Sequence, residues 1–406
     1  MATYLMNLIL NWDQKIYQKR TMQAVRIAMK QTLPILAIDV YLRLIFKLFF
    51  SPDSLFANVF NVHLSFFHSI ANPTQSQFAL SILDTIVVMV YVTSLTHSFL
   101  TVRNVKHVIV PILTNVVATY FLLVEKYQIP DHSTMQYLLL TGVTLFSSQS
   151  YNWYQKRMNP NVQPYAIRYL LWSGFIIMLC VSAHPIVQQS NIQIWLSEIL
   201  YQPFFTSFIG LLLVALLTPI LFVLGLRLPT ELMSDQTTLN VVVLNLDTML
   251  SHANVLLPFP ENLYSTYGAF SLFGGIGNSL VISILLLFAH SKRHRQLGLI
   301  SWFPSLFNNN QLLYNGLPMF LRPLILVPMI LVSIMSITIS YLTIALHLMA
   351  PPVFMTPVGM PTILTPTLAS NSHLSAIIVT IIIFGLSILI YKPFIKQLTM
   401  EELNEK

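Results

Sequence analysis

From Asn262 to Met400 the chain holds no aspartate and no glutamate. Nothing in that stretch can serve as a carboxylate general base. Cysteine is almost missing as well. The single Cys180, in an apolar run, excludes a disulfide within the chain and any multi-cysteine metal site, and it reads as a small core residue. Charge is scarce: charged residues make up 9% of the 406 positions, against roughly 25% in ordinary soluble domains. The start of the chain lacks a basic region followed by an apolar run and a small-residue cleavage site, so no removed signal peptide is expected. There is no Ser/His/Asp hydrolase pattern and no phosphate-cradling loop. The eleven histidines are scattered, and the pair His290 and His294 has Lys292, Arg293 and Arg295 as neighbours, which argues against a metal between them. No cofactor is expected.

What is present is apolar. The hydrophobic fraction is 55% and the mean hydropathy is +0.69, values of a chain that lives in a bilayer. Against that background one stretch stands out. Asn308, Asn309, Asn310 and Gln311 form a polar cluster inside a very apolar region. Hydrocarbon offers no hydrogen bonds, so such a cluster must be packed in protein or line a cavity. It is the first candidate binding site. Bridging between helices is the plainer use of the same amides.

Apolar runs predict spans near 31–50, 77–100, 107–125, 136–150, 168–188, 204–226, 237–257, 266–289, 323–349 and 375–391. Basic residues cluster at Lys15 to Lys30, at Arg103 and Lys106, at Lys156 and Arg157, at Arg227, at Lys292 to Arg295, and at Lys392 and Lys396. Lys126 beside Glu125 is an exception, and residues 51–75, 189–202 and 350–374 carry no Lys or Arg. This alternation follows the positive-inside rule and places both termini in the cytoplasm. An even number of crossings follows, and ten fit if 237–257 crosses. Residues 296–322, interrupted by Pro304, the amides, Gly316 and Pro318, then dip in and return on one side. The net charge of +7 belongs to cytoplasmic loops, and no nucleic-acid partner is expected. Asp39, Asp84 and Asp247 are acids at membrane depth, and Asp39 with Arg43 has the i,i+4 spacing of an ion pair. The Pro-rich stretch from Pro351 to Thr367 is not regular helix; it is either an exterior loop or a wall of a cavity.

The run Phe307 to Ile330 resembles the signature of membrane-embedded enzyme IIC subunits of the sugar phosphotransferase system, in the lactose/cellobiose/diacetylchitobiose branch. The shared frame is Phe307, Asn308, Asn310, Gly316, Leu317, Pro318, Pro323 and Pro328. Phe273 to Asn278 resembles the family's glycine-rich segment, followed by Ser291 and Lys292. Tyr17 to Pro34 and Tyr391 to Phe394 resemble its opening and closing blocks. The resemblance implies an all-α membrane protein with about ten transmembrane helices plus re-entrant hairpins, the enzyme IIC fold. It implies a homodimer in a bacterial plasma membrane, with a cytoplasmic amphipathic lead-in (1–30), an N-terminal membrane half that forms the dimer face (31–203), a sugar-holding transport half (204–396) and a cytoplasmic tail (397–406). Working members rely on enzyme IIB and IIA partner subunits to phosphorylate the sugar, so the chain alone is not expected to be an enzyme.

The candidate substrate-binding residues are Asn308, Asn310, Gln311, Arg227 and Gly275. Two of them depart from the family pattern. Gln311 stands where the family has glutamate, and Arg227, by a short alignment through Gly225-Leu226-Arg227-Leu228, stands where it has a histidine. An amide can accept and donate hydrogen bonds but cannot take a proton, and arginine cannot act as an acceptor. Carboxylates outside the acid-free stretch that could substitute are Glu231, Asp235 and Asp247. Aromatic faces for a sugar are offered by Trp302, Phe303 and Tyr314. Three readings follow: a permease subunit for a sugar, a disaccharide by family analogy; a degenerate relative acting as a sugar sensor or as the membrane partner of a signalling protein; or a structural membrane component with no ligand.

Overall fold

Helices supply all the regular structure among the described residues of the computed structural model, which are 2–50, 56, 73–105, 107–124, 136–157, 167–189, 192–234, 239–251, 256–357 and 359–404. The first part of the chain contains α1 (Ala2–Tyr17), α2 (Arg20–Ile45, extended by a π turn over Phe46–Phe50), α3 (Pro73–Val102), α4 (Ile109–Leu123), α5 (Tyr137–Arg157) and α6 (Ile167–Gln189). Then follow α7 (Ile192–Leu200), α8 (Phe208–Val223), α9 (Thr230–Met233) and α10 (Asn240–Ser251). The last part contains α11 (Leu280–Leu287), α12 (Lys292–Leu306), α13 (Gln311–Gly316), α14 (Pro323–Ala345), α15 (Thr365–Ala369) and α16 (His373–Asn404).

Four of these helices are long and apolar enough to cross a bilayer: Phe78–Val102 within α3, Tyr169–Val187 within α6, α14, and His373–Met400 within α16. Helices α4 and α8 are apolar but shorter. Large apolar side chains face outward, among them Phe175 at 64% and Met178 at 74% exposure. Such surface is costly in water and favourable against lipid. The protein is a multi-pass membrane protein.

Packing falls into two groups. Helix α3 contacts α2, α4 and α5, and α4 also packs on α6. Helix α14 contacts α8 and α16, while α11 packs on α12 and α16. The groups meet where α2 lies against α13, and α1 packs on α14. Helix α1 is fastened by polar contacts. Asp13, only 1% exposed, accepts from Leu324 N at 3.2 Å and faces Arg322 Nε at 3.4 Å, and Tyr17 donates to the Pro318 carbonyl.

Two predicted spans differ from the structure. Residues 266–289 are not one helix. A π turn, Tyr264–Gly268, gives way to a break, and the chain becomes helical again only at α11. The backbone in the break takes φ values of +79° at Gly274, +118° at Gly275, +65° at Gly277 and +52° at Asn278, a region that glycine enters without steric cost. The broken backbone needs partners, and it finds them. Asn278 accepts from Phe273 N at 3.0 Å and donates to Ser336 Oγ on α14 at 3.1 Å. Tyr391 of α16 donates to the Gly277 carbonyl at 2.5 Å. Gly274 N donates to Thr362 Oγ1 at 2.9 Å, which ties the proline-rich stretch to the break. The second difference is α10, whose 12 residues span roughly 18 Å, short of the roughly 30 Å hydrocarbon core. Asp247 on it is exposed, and His252 lies outside the described residues.

Two local expectations hold. Arg43 Nε meets Asp39 Oδ1 at 3.0 Å in the i,i+4 pair, and Arg43 also pairs with Asp84. The proline-rich stretch contains only a 3-10 turn, Thr362–Leu364, and the short α15. After α11 the chain turns back as α12 and turns again at Phe307–Asn310. It then passes through α13 and Leu317–Arg322 into α14.

Candidate functional site

The polar cluster sits at the seam between the two groups of helices. Helix α8 ends at Val223, and Gly225 follows with φ +70°. A Cβ there would lie 2.5 Å from Tyr137 Cβ, so only glycine lets the end of α8 reach the start of α5. Leu138 N donates to the Gly225 carbonyl at 3.2 Å across this contact. From the other side α13 presents its first turn. Asn308, at φ +62°, turns the chain and donates through Nδ2 to the Met233 carbonyl at 2.7 Å. Asn309 Oδ1 accepts from Gln311 N at 3.2 Å and so covers an orphan donor at the start of α13.

Between these elements lies a small cavity of about 20 Å³, lined by Leu36 of α2, Tyr137 of α5, Phe222, Gly225 and Leu226 around the end of α8, and Asn310, Gln311, Tyr314 and Asn315. Aromatic rings pack on one another in its walls. Tyr137 and Tyr314 stack with centroids 4.9 Å apart, and Phe222 meets Tyr314 edge-on at 5.1 Å. Asn315 is committed to the wall: its Oδ1 accepts from Tyr137 OH at 2.8 Å, and its Nδ2 donates to the Gln311 carbonyl at 3.2 Å.

Asn310 and Gln311 are not committed. Asn310 is 5% exposed, yet neither its side-chain amide nor that of Gln311 hydrogen-bonds another residue among those described. Both line the cavity, so their donors and acceptors are available to a ligand there. Gly275 stands behind Asn310: a Cβ on it would lie 2.4 Å from Asn310 Nδ2, so the glycine break leaves the room in which that amide is seated.

The predicted residues therefore separate. Asn310 and Gln311 line the cavity, Gly275 supports Asn310 from outside the lining, and Asn308 is spent on α9. Arg227 is half-buried, two residues past Gly225 and not part of the lining. Trp302 and Phe303 do not line the cavity either; they pack on each other at 5.7 Å, and Phe303 packs on Phe307 at 5.3 Å. Glu231 accepts from Ser197 Oγ at 2.9 Å and is not at the cavity, Asp247 is exposed, and Asp235 lies outside the described residues. Sequence reasoning missed Leu36, Tyr137, Phe222 and Asn315. The chemistry of the lining is thus neutral: amides that donate and accept, tyrosine rings, and no carboxylate.

No protein-family model matches the chain, and no curated protein matches it. Among solved structures the chain is similar to the crystal structure of the transporter ChbC, the IIC component from the N,N'-diacetylchitobiose-specific phosphotransferase system. The identity is 20%, 99% of each chain is covered, and the TM-score is 0.45.

Proposed function

We propose that the chain is an enzyme IIC-like permease subunit of a bacterial plasma membrane, with both termini in the cytoplasm, and that it binds a sugar at the seam cavity. The observation that carries this reading is the pair of uncommitted amides, Asn310 and Gln311, sharing a cavity with stacked tyrosines. Sugar hydroxyls donate and accept together, which suits carboxamides, and the apolar face of a sugar ring suits an aromatic wall. The substrate proposed is a disaccharide. Ligand pockets for molecules of that size span roughly 300–1,000 Å³, far more than the about 20 Å³ here. Binding therefore requires the α8–α13 side to separate from α2 and α5, and that opening is the transport movement. The half over 204–396 would move against the half over 31–203, which would also form the homodimer face.

A second reading is favoured by one specific observation. No carboxylate lines the cavity, and Gln311 cannot accept the proton that a sugar hydroxyl loses on phosphorylation. A chain that binds sugar without passing it to enzyme IIB and IIA partners would act as a sensor, reporting occupancy to a signalling protein through the same seam.

The test is binding of mono- and disaccharides to the detergent-purified protein, with Gln311→Ala beside it. Saturable disaccharide binding, weakened about tenfold or more by the substitution (roughly 1.4 kcal/mol), is expected. A folded protein that binds none of the panel would remove both readings and leave the amides as packing groups.

A further inference from the structure

Hydrogen bonds cross the seam between the two groups of helices, and they differ in what can replace them when they break. Tyr41 OH of α2 donates to the Ile300 carbonyl of α12 at 2.8 Å in an exposed position, where water takes over at little cost. Leu138 N donates to the Gly225 carbonyl at 3.2 Å. Tyr137 OH of α5 donates to Asn315 Oδ1 of α13 at 2.8 Å. Tyr137 is 5% exposed and Asn315 1%. A buried bond broken without a replacement leaves both partners desolvated and unpaired, so the Tyr137–Asn315 bond weighs most against opening the seam when no ligand is present.

Each partner is held on its own side. Tyr91 of α3 meets the Tyr137 ring edge-on at 5.2 Å and shares a 2.7 Å hydrogen bond with Thr141 Oγ1 of α5, which fixes the ring to the first group. Asn315 Nδ2 donates to the Gln311 carbonyl at 3.2 Å, which fixes the amide to α13. Its Oδ1 has no other donor among the described residues. Tyr137 and Asn315 both line the cavity beside Asn310 and Gln311. Separation of the two groups therefore strips Oδ1 of its donor and leaves it in the wall of the opened space, where a sugar hydroxyl can donate to it.

We propose that the Tyr137–Asn315 hydrogen bond is a latch. It holds the seam shut while no ligand is bound, and on opening Asn315 Oδ1 passes from the tyrosine hydroxyl to a hydroxyl of the sugar. This hand-over rests on the sugar reading of the cavity, whereas the latch needs only that the seam opens.

Two backbone amides read the opening. Leu138 is the second residue of α5, where the helix itself offers its N–H no partner, so the bond to Gly225 across the seam is what protects it. Leu321 N donates to the Val223 carbonyl at 3.0 Å, a bond within the second group that opening leaves intact. Hydrogen exchange resolved to single amides is measured on the detergent-purified full chain and on two variants, Tyr137→Phe and Asn315→Ala. Tyr137→Phe removes only the hydroxyl and keeps the ring for Tyr91 and Tyr314. Exchange at Leu138 should be about threefold to tenfold faster in both variants, with Leu321 unchanged. Lactose, cellobiose and diacetylchitobiose are titrated alongside. Tyr137→Phe should tighten disaccharide binding by about the same factor, because the ligand no longer has to displace the tyrosine. Asn315→Ala should weaken it about threefold or more, because the acceptor is gone. Agreement in exchange with opposite signs in affinity is a pattern that a purely structural wall bond would not produce. Faster exchange at Leu138 with no disaccharide bound by any of the three proteins supports the latch and removes the sugar reading with its hand-over. Affinities that move the same way in both variants overturn the hand-over. Unchanged exchange at Leu138 in Tyr137→Phe, or equal acceleration at Leu138 and Leu321, overturns the latch.

Discussion

Asn115 and Asn310 are both asparagines sunk in apolar helix bundles, and they do opposite things with their amides. Asn115 on α4 donates to Thr96 Oγ1 at 2.9 Å and to Ser148 Oγ at 3.1 Å, and accepts from Ser147 Oγ at 2.5 Å. It thereby ties α4 to α3 and α5 and leaves nothing for a ligand. Asn310 is nearly as buried and makes no such bond. Burial of a polar group is no pointer to function until its hydrogen bonds have been counted. A closed network is structural glue of the kind membrane bundles use, whereas an open one beside a cavity is a binding capacity held in reserve.

The contrast breaks most sharply at the support for Asn310. Gly275→Ala puts a side chain at φ +118° and a Cβ 2.4 Å from Asn310 Nδ2. Backbone strain and overpacking of about 1–3 kcal/mol each should together cost about 2–6 kcal/mol. The drop should show in unfolding of the detergent-solubilised protein, and disaccharide affinity should fall with it as the amide is pushed from its seat. An unchanged unfolding midpoint would mean that the break is loosely held and that Asn310 is not positioned by it.

Next in size is the direct comparison. Asn115→Leu strands the hydroxyls of Ser147 and Ser148, while that of Thr96 still donates to the Val92 carbonyl, and it should cost about 1–3 kcal/mol. Asn310→Ala loses no bond to the protein and should cost less than about 1 kcal/mol of stability, while weakening disaccharide binding about tenfold or more. Stability losses of equal size at the two positions would show that Asn310 is glue as well.

The sequence made one of these amides conspicuous and hid the others for a physical reason. Four consecutive polar residues at 308–311 interrupt an apolar run, and that interruption is visible in one dimension. Tyr137 and Phe222 look like any aromatic in an apolar span, and Tyr137 meets Asn315 only because α5 and α13 are brought together in three dimensions. The span predicted over 266–289 failed because mean hydropathy does not register a break. The glycines announce one, but the partners that make it stable (Ser336, Tyr391 and Thr362) lie far along the chain. Asp13 passed unnoticed because an acid on an amphipathic lead-in reads as solvated, whereas here it anchors the N-terminus of α14.

The smallest expected effect is also the one that most sharpens the site. If the resemblance of Gly225-Leu226-Arg227-Leu228 to the enzyme IIC pattern holds, Arg227 stands where that pattern has a histidine, and substituting histidine is the natural attempt at repair. The geometry argues that the attempt changes little. Gly225 and Leu226 reach the cavity wall, and Arg227 does not. Arg227→His should therefore shift disaccharide affinity by less than about threefold, or roughly 0.6 kcal/mol, in the same titration that reads Gln311→Ala. Gln311→Glu, which places a carboxylate at the lining itself, should be the substitution that alters uptake in proteoliposomes. A large effect of Arg227→His would mean that the loop after Gly225 turns inward when the seam opens, since only a contact made in the open state could couple a residue outside this cavity to the sugar.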